Sequence, residues 1–208
     1  DVAVSLTHKH WEFLQPFCRA GLLLRRGDAA AALDILEKTP SANAGLVYHA
    51  AFVLASNGRN QAAIRRYREL PGDDPNRLYI DLNLSELYAE EKQPDLALRL
   101  AKSAWERTQG ESVPAQICYA RRLTERGELE KIADVVRLPA DPKQADPELL
   151  KLWIPAMERR IQSEFNRGDH ASARYSCRQL LACSPGNPVA TKLLKELDRI
   201  AASEAEER

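Results

Sequence analysis

The sequence predicts an all-α protein, an α-solenoid of about five helix–turn–helix repeats followed by a capping helix. A turn signal recurs through the 208 residues at steps of 31, 34, 35 and 41 residues. A small or apolar residue follows each signal five positions later, and the sustained alternation that is typical of strands is rare. Because a period near 34 residues is that of a helix–turn–helix unit, these observations favour stacked helix pairs.

Five turn positions separate the two helices of each predicted pair. Four are glycine, which ends a helix by taking a left-handed backbone conformation. The turn positions are Gly27, Gly58, Lys92, Gly127 and Gly168. A small residue five positions after the turn lets the second helix pack closely against the first. The fourth unit is the exception, because it has a larger residue at this position. These five residues are Ala32, Ala63, Ala97, Ile132 and Ala173.

The helices and breaks follow in chain order. The first helices are amphipathic, as in the third unit, where Ile80, Leu84, Leu87 and Tyr88 recur at helical spacing. Prolines that cannot continue a helix stand at comparable breaks, at Pro40, Pro75, Pro139 and Pro185. We predict one domain over residues 1–208, with repeats at about 9–40, 44–75, 77–110, 113–140 and 147–185 and a capping helix at 187–205.

Two departures from the period are informative. The second helix of the first repeat is predicted to be short, because Pro40 follows it early. The step of 41 residues adds material at 138–153, whose proline and aspartate content predicts a loop and then a short helix. Pro155 then either kinks or begins the helix that runs to Arg167.

The repeated units resemble the tetratricopeptide repeat (TPR). The third unit matches it at Asn83, Leu84, Ser85, Tyr88, Ala97, Ala101 and Ala104. The second unit matches it at Ala51, Leu54, Gly58, Ala63, Tyr67 and Pro75. The resemblance covers about residues 10–185 and implies a right-handed stack whose first helices line a concave groove. It also implies a protein-binding scaffold.

The resemblance implies candidates for binding in that groove, taken from the register of the first helices. They are Phe17, Leu24, Tyr48, Phe52, Asn83, Glu86, Glu90, Ile117, Arg121 and Gln162. We expect the apolar anchors of an extended or helical peptide near Tyr48 and Phe52, and its charges near Glu86, Glu90 and Arg121. The alternative is that several apolar candidates, Phe17 and Leu24 above all, pack between neighbouring helices.

Composition and charge argue against several classes of partner. Lys and Arg number 30 and Asp and Glu number 30, so the formal net charge of zero argues against a nucleic-acid partner. We interpret the basic cluster of Arg65, Arg66 and Arg68 as a solvated helix face with intrahelical ion pairs rather than as a phosphate site. No run of about 18 apolar residues is present, so this segment is not expected to insert into a membrane.

Cysteine and histidine residues indicate no catalytic or metal site. The four cysteines lack the spacing of a zinc or redox motif, and Cys177 is interpreted as a small buried hydrophobic residue. His8 and His10 form the only close histidine pair, which is either a weak metal site or part of a frayed polar N-terminus. We expect no enzyme activity, no cofactor and no metal.

The leading hypothesis is therefore a non-catalytic module that binds a peptide or helix of a partner protein. The alternative is a self-associating segment of a larger assembly, such as a bacterial envelope or secretion machine, which predicts a homo-oligomer. Because the only methionine is Met157, we expect a processed product or part of a longer chain. Free cysteine favours the cytoplasm, the periplasm stays open, and the Ala- and Arg-rich composition suits a bacterium.

Overall fold

A computed structural model describes residues 2–40 and 43–206, and the side chains of residues 14–40 and 43–203. Within these ranges the regular structure consists of eleven α-helices and one short 3-10 turn, without a β-strand. The helices are α1 Val2–Arg25, α2 Ala29–Lys38, α3 Ala44–Ser56, α4 Asn60–Glu69, α5 Arg77–Glu90, α6 Pro94–Arg107, α7 Val113–Glu125, α8 Leu129–Val135, α9 Pro147–Asn166, α10 His170–Cys183 and α11 Pro188–Glu206, with the 3-10 turn at Pro142–Gln144. The predicted all-α repeat of helix pairs is confirmed.

The chain divides into two compact units, one up to Leu100 and one from Ala101 onward, with the division inside α6. We call them unit 1 and unit 2 and describe each by itself. The single domain and the repeat bounds expected from the sequence stay predictions.

The five predicted turns share one backbone geometry. The four glycines have φ angles of 74° to 85°, and Lys92 has a φ of 57°. After each turn residue, the next N–H donates to the carbonyl five residues earlier, at 2.8 to 3.0 Å. This pairing satisfies a carbonyl that the helix end would leave without a partner. The prediction of left-handed helix ends is confirmed, and Lys92 adopts a conformation that normally favours glycine.

The small residues that follow the turns lie at the centre of each helix pair. Ala32, Ala63, Ala97, Ile132 and Ala173 all have 0% of their surface exposed. In unit 1, Leu54, Tyr67 and Ile80 are also fully buried. The close packing predicted for the positions five residues after each turn is therefore confirmed.

The extra residues between repeats four and five are arranged differently from the prediction. Helix α9 runs from Pro147 to Asn166, so the predicted separate short helix is wrong and Pro155 does not begin a helix. The reason is an N-terminal cap, because the Asp146 carboxylate accepts from the N–H groups of Glu148 and Leu149. Pro155 lies inside the helix, and the kink there stays a prediction. Helix α2 is short, as predicted, and α8 is shorter still with seven residues.

The last helix packs on α10. Leu193 and Leu197 of α11 are buried. Asn187 is the N-terminal cap of this helix, because its side-chain oxygen accepts from the Ala190 N–H at 3.0 Å. The Asn187 side-chain nitrogen donates to Glu158 of α9 at 2.6 Å. The cap therefore also connects the start of α11 to α9.

Candidate functional site

Helices α3 and α5 of unit 1 lie side by side and bring several of the predicted groove residues together. Asn83 of α5 donates its side-chain N–H to the Tyr67 hydroxyl at 2.9 Å and to the Tyr48 hydroxyl at 3.5 Å. Tyr48 belongs to α3 and Tyr67 to α4, so a single amide connects three helices. Phe52 follows Tyr48 by one helical turn on α3.

The two tyrosines of this cluster also contact each other. Their rings meet edge to face with centroids 5.7 Å apart. Tyr67 is fully buried, and this burial is the main cause that raises its pKa above the ordinary value. The neighbouring Tyr48 raises the pKa of Tyr67 further, while the Asn83 hydrogen bond lowers it. Tyr67 is therefore neutral at physiological pH, and its hydroxyl holds the half-buried Asn83 side chain in place.

Two large aromatic side chains remain exposed next to this cluster. Phe52 on α3 is 52% exposed and Tyr79 on α5 is 54% exposed. Tyr79 precedes Asn83 by four residues, so the two share one face of α5. We call Tyr48, Phe52, Tyr79 and Asn83 the aromatic face. Tyr79 is not among the predicted groove residues, although its helical spacing from Asn83 is visible in the sequence.

The two predicted acidic residues of unit 1 both have interaction partners. The Glu90 carboxylate accepts from the Asn60 side-chain N–H at 2.8 Å, and the adjacent Glu91 accepts from Gln61. These bonds join the end of α5 to the start of α4. Glu86 is half-buried and also has an interaction partner. Neither Glu86 nor Glu90 is therefore a free carboxylate.

Phe17 and Leu24 of α1 are half-buried and pack against the core of unit 1. This placement agrees with the alternative interpretation, in which they pack between helices. Leu14 and Leu22 of the same helix are exposed by 40% and 54%. The exposed apolar surface of α1 therefore involves residues other than the two predicted ones.

The three candidates of unit 2 do not form one cluster. Arg121 of α7 pairs with Glu148 in the first turn of α9. Gln162 lies fourteen residues further along α9, about 21 Å away along the helix axis, and donates to Asn166 at 2.9 Å. Ile117 is half-buried on α7. Arg121 and Gln162 therefore make separate contacts, each within unit 2.

The basic cluster on α4 differs from its predicted role. Arg66 is only 5% exposed, so the interpretation as a solvated face is wrong for this residue. Its guanidinium donates to the backbone carbonyls of Leu36 and Glu37 at 2.8 to 3.1 Å, and also to that of Thr39. The cause is the end of α2, where carbonyls without helical partners attract a cation. Arg66 is a structural residue that connects α4 to α2.

Cysteine and histidine give little further chemistry. Cys177 is fully buried, as predicted, and burial with the nearby Glu164 raises the pKa of its thiol. Among the residues the structure describes, no three His, Cys, Asp or Glu side chains are grouped as metal ligands would be. His8 and His10 have their backbone in α1, and their side chains lie outside the described part.

None of the described helices combines the length and apolar character needed to cross a bilayer.

Comparison with known proteins identifies the fold. No protein-family model matches the chain, and no curated protein matches it. Solved structures do match, among them residues 41 to the end of MamA from Desulfovibrio magneticus RS-1, with 16% identity, a TM-score of 0.50, and coverage of 85% of this chain and 97% of that one. YrrB, described as a TPR protein with an unusual peptide-binding site, matches with 14% identity, a TM-score of 0.51, and coverage of 93% of this chain and 97% of that one.

Proposed function

We propose that this chain, which has the TPR-like helical-repeat fold, is a non-catalytic protein-interaction module. In this proposal a peptide or helix of a partner binds on the aromatic face of unit 1. The observation that supports it is the pair of half-exposed aromatic rings, Phe52 and Tyr79, on neighbouring helices. Large aromatic side chains are frequent anchors of protein interfaces, because each buries much apolar area when a partner covers it.

Hydrogen bonds within the aromatic face and to the buried Tyr67 favour binding, because they fix the shape of this face before a partner arrives. Asn83 is held by the hydroxyls of Tyr48 and Tyr67, and Tyr67 is fully buried. A surface that is already ordered loses less conformational entropy on binding than a flexible one. YrrB offers an analogy, since it combines this fold with a peptide-binding site.

The proposal is tested with peptides selected from a random phage-displayed library against the full chain. Affinity is then measured by isothermal titration calorimetry for the unmodified chain and for Phe52→Ala, Tyr79→Ala and Tyr48→Ala. We expect each substitution to weaken binding at least tenfold, because loss of an interface anchor costs about 2 kcal/mol. Helicity by circular dichroism should stay unchanged for Phe52→Ala and Tyr79→Ala, whose rings are half exposed.

The matched control is Val113→Ala, which removes an exposed apolar side chain at the first residue of α7. It should leave the affinity unchanged. If Phe52→Ala and Tyr79→Ala bind the selected peptides as tightly as the unmodified chain, the aromatic face is not the binding surface. If the library yields no binding peptide at all, peptide recognition itself is contradicted.

A second candidate function is self-association through α1. Leu14 and Leu22 lie on the same side of this helix, eight residues apart, and both are exposed. Exposed apolar residues of this spacing suit a helix-to-helix contact between two copies of the chain. Multi-angle light scattering at micromolar concentration should then give a dimer mass, and Leu22→Glu should give a monomer mass. A monomer mass for the unmodified chain would contradict this candidate.

We expect no nucleic-acid partner, because the formal net charge is zero and Arg66, Arg121 and Arg160 are paired within the protein. Binding to a mixed-sequence oligonucleotide that weakens steeply as salt increases would contradict this expectation.

A further inference from the structure

An open groove of about 710 Å³ lies in unit 2 beside α10. Its lining on α10 extends from Ala171 to Cys183, nearly the whole fourteen-residue helix, whereas the seven-residue α8 contributes only Ala133. Outside α10, apolar and aromatic residues form much of the wall, namely Val136, Leu138, Trp153 and Met157, and Tyr175 of α10 adds a further ring. The groove has the size of a ligand site, for which volumes of about 300–1,000 Å³ are usual, and its lining is divided about evenly between polar and apolar surface.

One polar side chain in this groove is buried and incompletely bonded. Glu164 of α9 is only 4% exposed. Its Oε1 accepts from the Arg160 Nε–H at 2.9 Å, while its Oε2 is buried and has no hydrogen-bond partner among the described residues. Buried polar atoms in proteins are nearly always hydrogen-bonded, because an unmade bond costs about 1–3 kcal/mol. The Oε2 atom therefore indicates a donor that the described residues do not supply.

The charges around Glu164 do not balance. The Arg160 guanidinium also donates to Asp134, at 2.6 Å, so one cation serves two carboxylates. Glu164 and Arg160 line the groove, and Asp134 pairs with Arg160 from α8. These three side chains together carry one net negative charge. A cation that enters the groove is attracted, whereas an anion is repelled.

We propose that this groove binds a guanidinium group, carried by an arginine of a partner peptide. The N–H groups of a guanidinium can donate to Glu164 Oε2, and its positive charge balances the cluster. Its planar surface can stack on an aromatic ring, and Tyr175 lines the groove with 64% of its surface exposed. The aliphatic stem of the arginine fits against apolar lining such as Leu138.

The site consists of residues of unit 2 alone and goes beyond the proposed function of the aromatic face. Its failure would leave the proposal for Phe52 and Tyr79 untouched. The same guanidinium chemistry could also come from a free small cation. The experiment therefore compares peptide-borne and free guanidinium groups.

The test uses the full chain labelled with ¹⁵N and three probes. They are acetyl-Leu-Arg-Leu-amide, the same peptide with citrulline in place of arginine as a neutral isostere, and agmatine. Binding is followed by the NMR shifts of the Trp153 indole N–H and of the Tyr175 and Gln179 backbone amides. We expect the arginine peptide to bind at least tenfold more tightly than the citrulline peptide and more tightly than agmatine. If agmatine binds as tightly as the arginine peptide, the proposal that the guanidinium belongs to a peptide is contradicted, while the proposal of a guanidinium site is supported.

Two pairs of variants locate the binding. Glu164→Gln removes the charge and should weaken binding of the arginine peptide at least tenfold, whereas Glu196→Gln on the exposed face of α11 should not change it. Ala182→Trp fills the groove from an exposed position on α10 and should abolish binding, whereas Ala202→Trp on α11 should not. The Ala182→Trp pair decides the question even if Glu164→Gln folds poorly. Equal affinity of the arginine and citrulline peptides, or full binding by Ala182→Trp, would overturn the proposal.

Discussion

In unit 1 the buried guanidinium of Arg66 donates to backbone carbonyls at the end of α2, whereas in unit 2 one oxygen of the buried Glu164 carboxylate has no partner in the described part of the chain. Asn83 of unit 1 is likewise bonded by the protein itself. The comparison indicates where each unit can bind. In unit 1 the candidate surface is marked by two exposed aromatic rings, Phe52 and Tyr79, whereas in unit 2 it is marked by a buried polar atom inside a groove.

Two short second helices, α2 in unit 1 and α8 in unit 2, end on different kinds of donor. Helix α2 ends with carbonyls that Arg66 of α4 binds with a charged group. Helix α8 ends at Val135, whose carbonyl accepts from the neutral indole N–H of Trp105 at 3.0 Å. A charged donor with several acceptors contributes more than one neutral bond. We therefore expect the end of α2 to depend on its side-chain donor more than the end of α8 does.

The largest expected effect comes from Arg66→Ala. It leaves the carbonyls of Leu36 and Glu37 buried without a donor, so the free energy of unfolding should fall by about 3 kcal/mol. The control Arg65→Ala removes an exposed ion pair with Glu37 and should cost only about 0.5 kcal/mol. Urea unfolding followed by circular dichroism measures both. Similar losses for the two variants would remove the distinction between the buried and the exposed arginine.

The next effect is a pH dependence that belongs to unit 1. Folding raises the pKa of Tyr67, because the buried ring is stable only in its neutral form. Its contribution to the free energy of unfolding is therefore fully present below the pKa of the unfolded state, near 10, and is lost as the pH rises above that value. Above pH 10 this residue should lower the stability by up to about 1.4 kcal/mol per pH unit. The variant Tyr67→Phe should show a correspondingly shallower fall between pH 9 and 11 in urea titrations. An unchanged slope would show that Tyr67 is not the responsible group.

A smaller effect is expected in unit 2 from Asp146→Ala. The substitution removes the oxygen that accepts from Glu148 and Leu149 at the start of α9, and should lower stability by about 1 kcal/mol. Asp146→Asn keeps an acceptor and should retain most of that energy. Thermal unfolding of the pair decides between a capping role and a purely electrostatic one. Equal destabilisation by Ala and Asn would contradict the cap.

The smallest effect concerns the turn in which lysine replaces glycine. Lys92 has a φ of 57°, which strains a residue with a Cβ, so Lys92→Gly should raise the stability by about 0.5 kcal/mol. The matched change Lys102→Gly, inside α6, should instead lower it by about 1 kcal/mol. Opposite signs in urea unfolding would support the assigned turn geometry. A loss of stability in Lys92→Gly would contradict it.

Local signals made much of the fold predictable. The turn glycines and the small residues after them act within one helix pair, so their spacing carried the necessary information. The start of α9 was also locally encoded, because an aspartate before a proline is a common helix start, and the short-helix prediction overlooked Asp146. The buried, structural role of Arg66 could not be predicted in this way, because its acceptors lie 27 to 30 residues earlier, at the end of another helix.

The candidate site was predictable only in part for the same reason. Tyr48, Phe52 and Asn83 followed from the helical register, and Tyr79 could have been added from its spacing. The engagement of Glu90 with Asn60 depends on where two helices end, thirty residues apart. The groove at Glu164 depends on the unequal lengths of α8 and α10 and on an unmade hydrogen bond, which no sequence pattern reveals.

The most direct test of the central claim maps a library-selected peptide onto the ¹⁵N-labelled chain by NMR. Within unit 1, we expect the largest shifts at the backbone amides of Phe52 and Tyr79 and at the side-chain amide of Asn83. A peptide that binds while these three signals stay unmoved would contradict it.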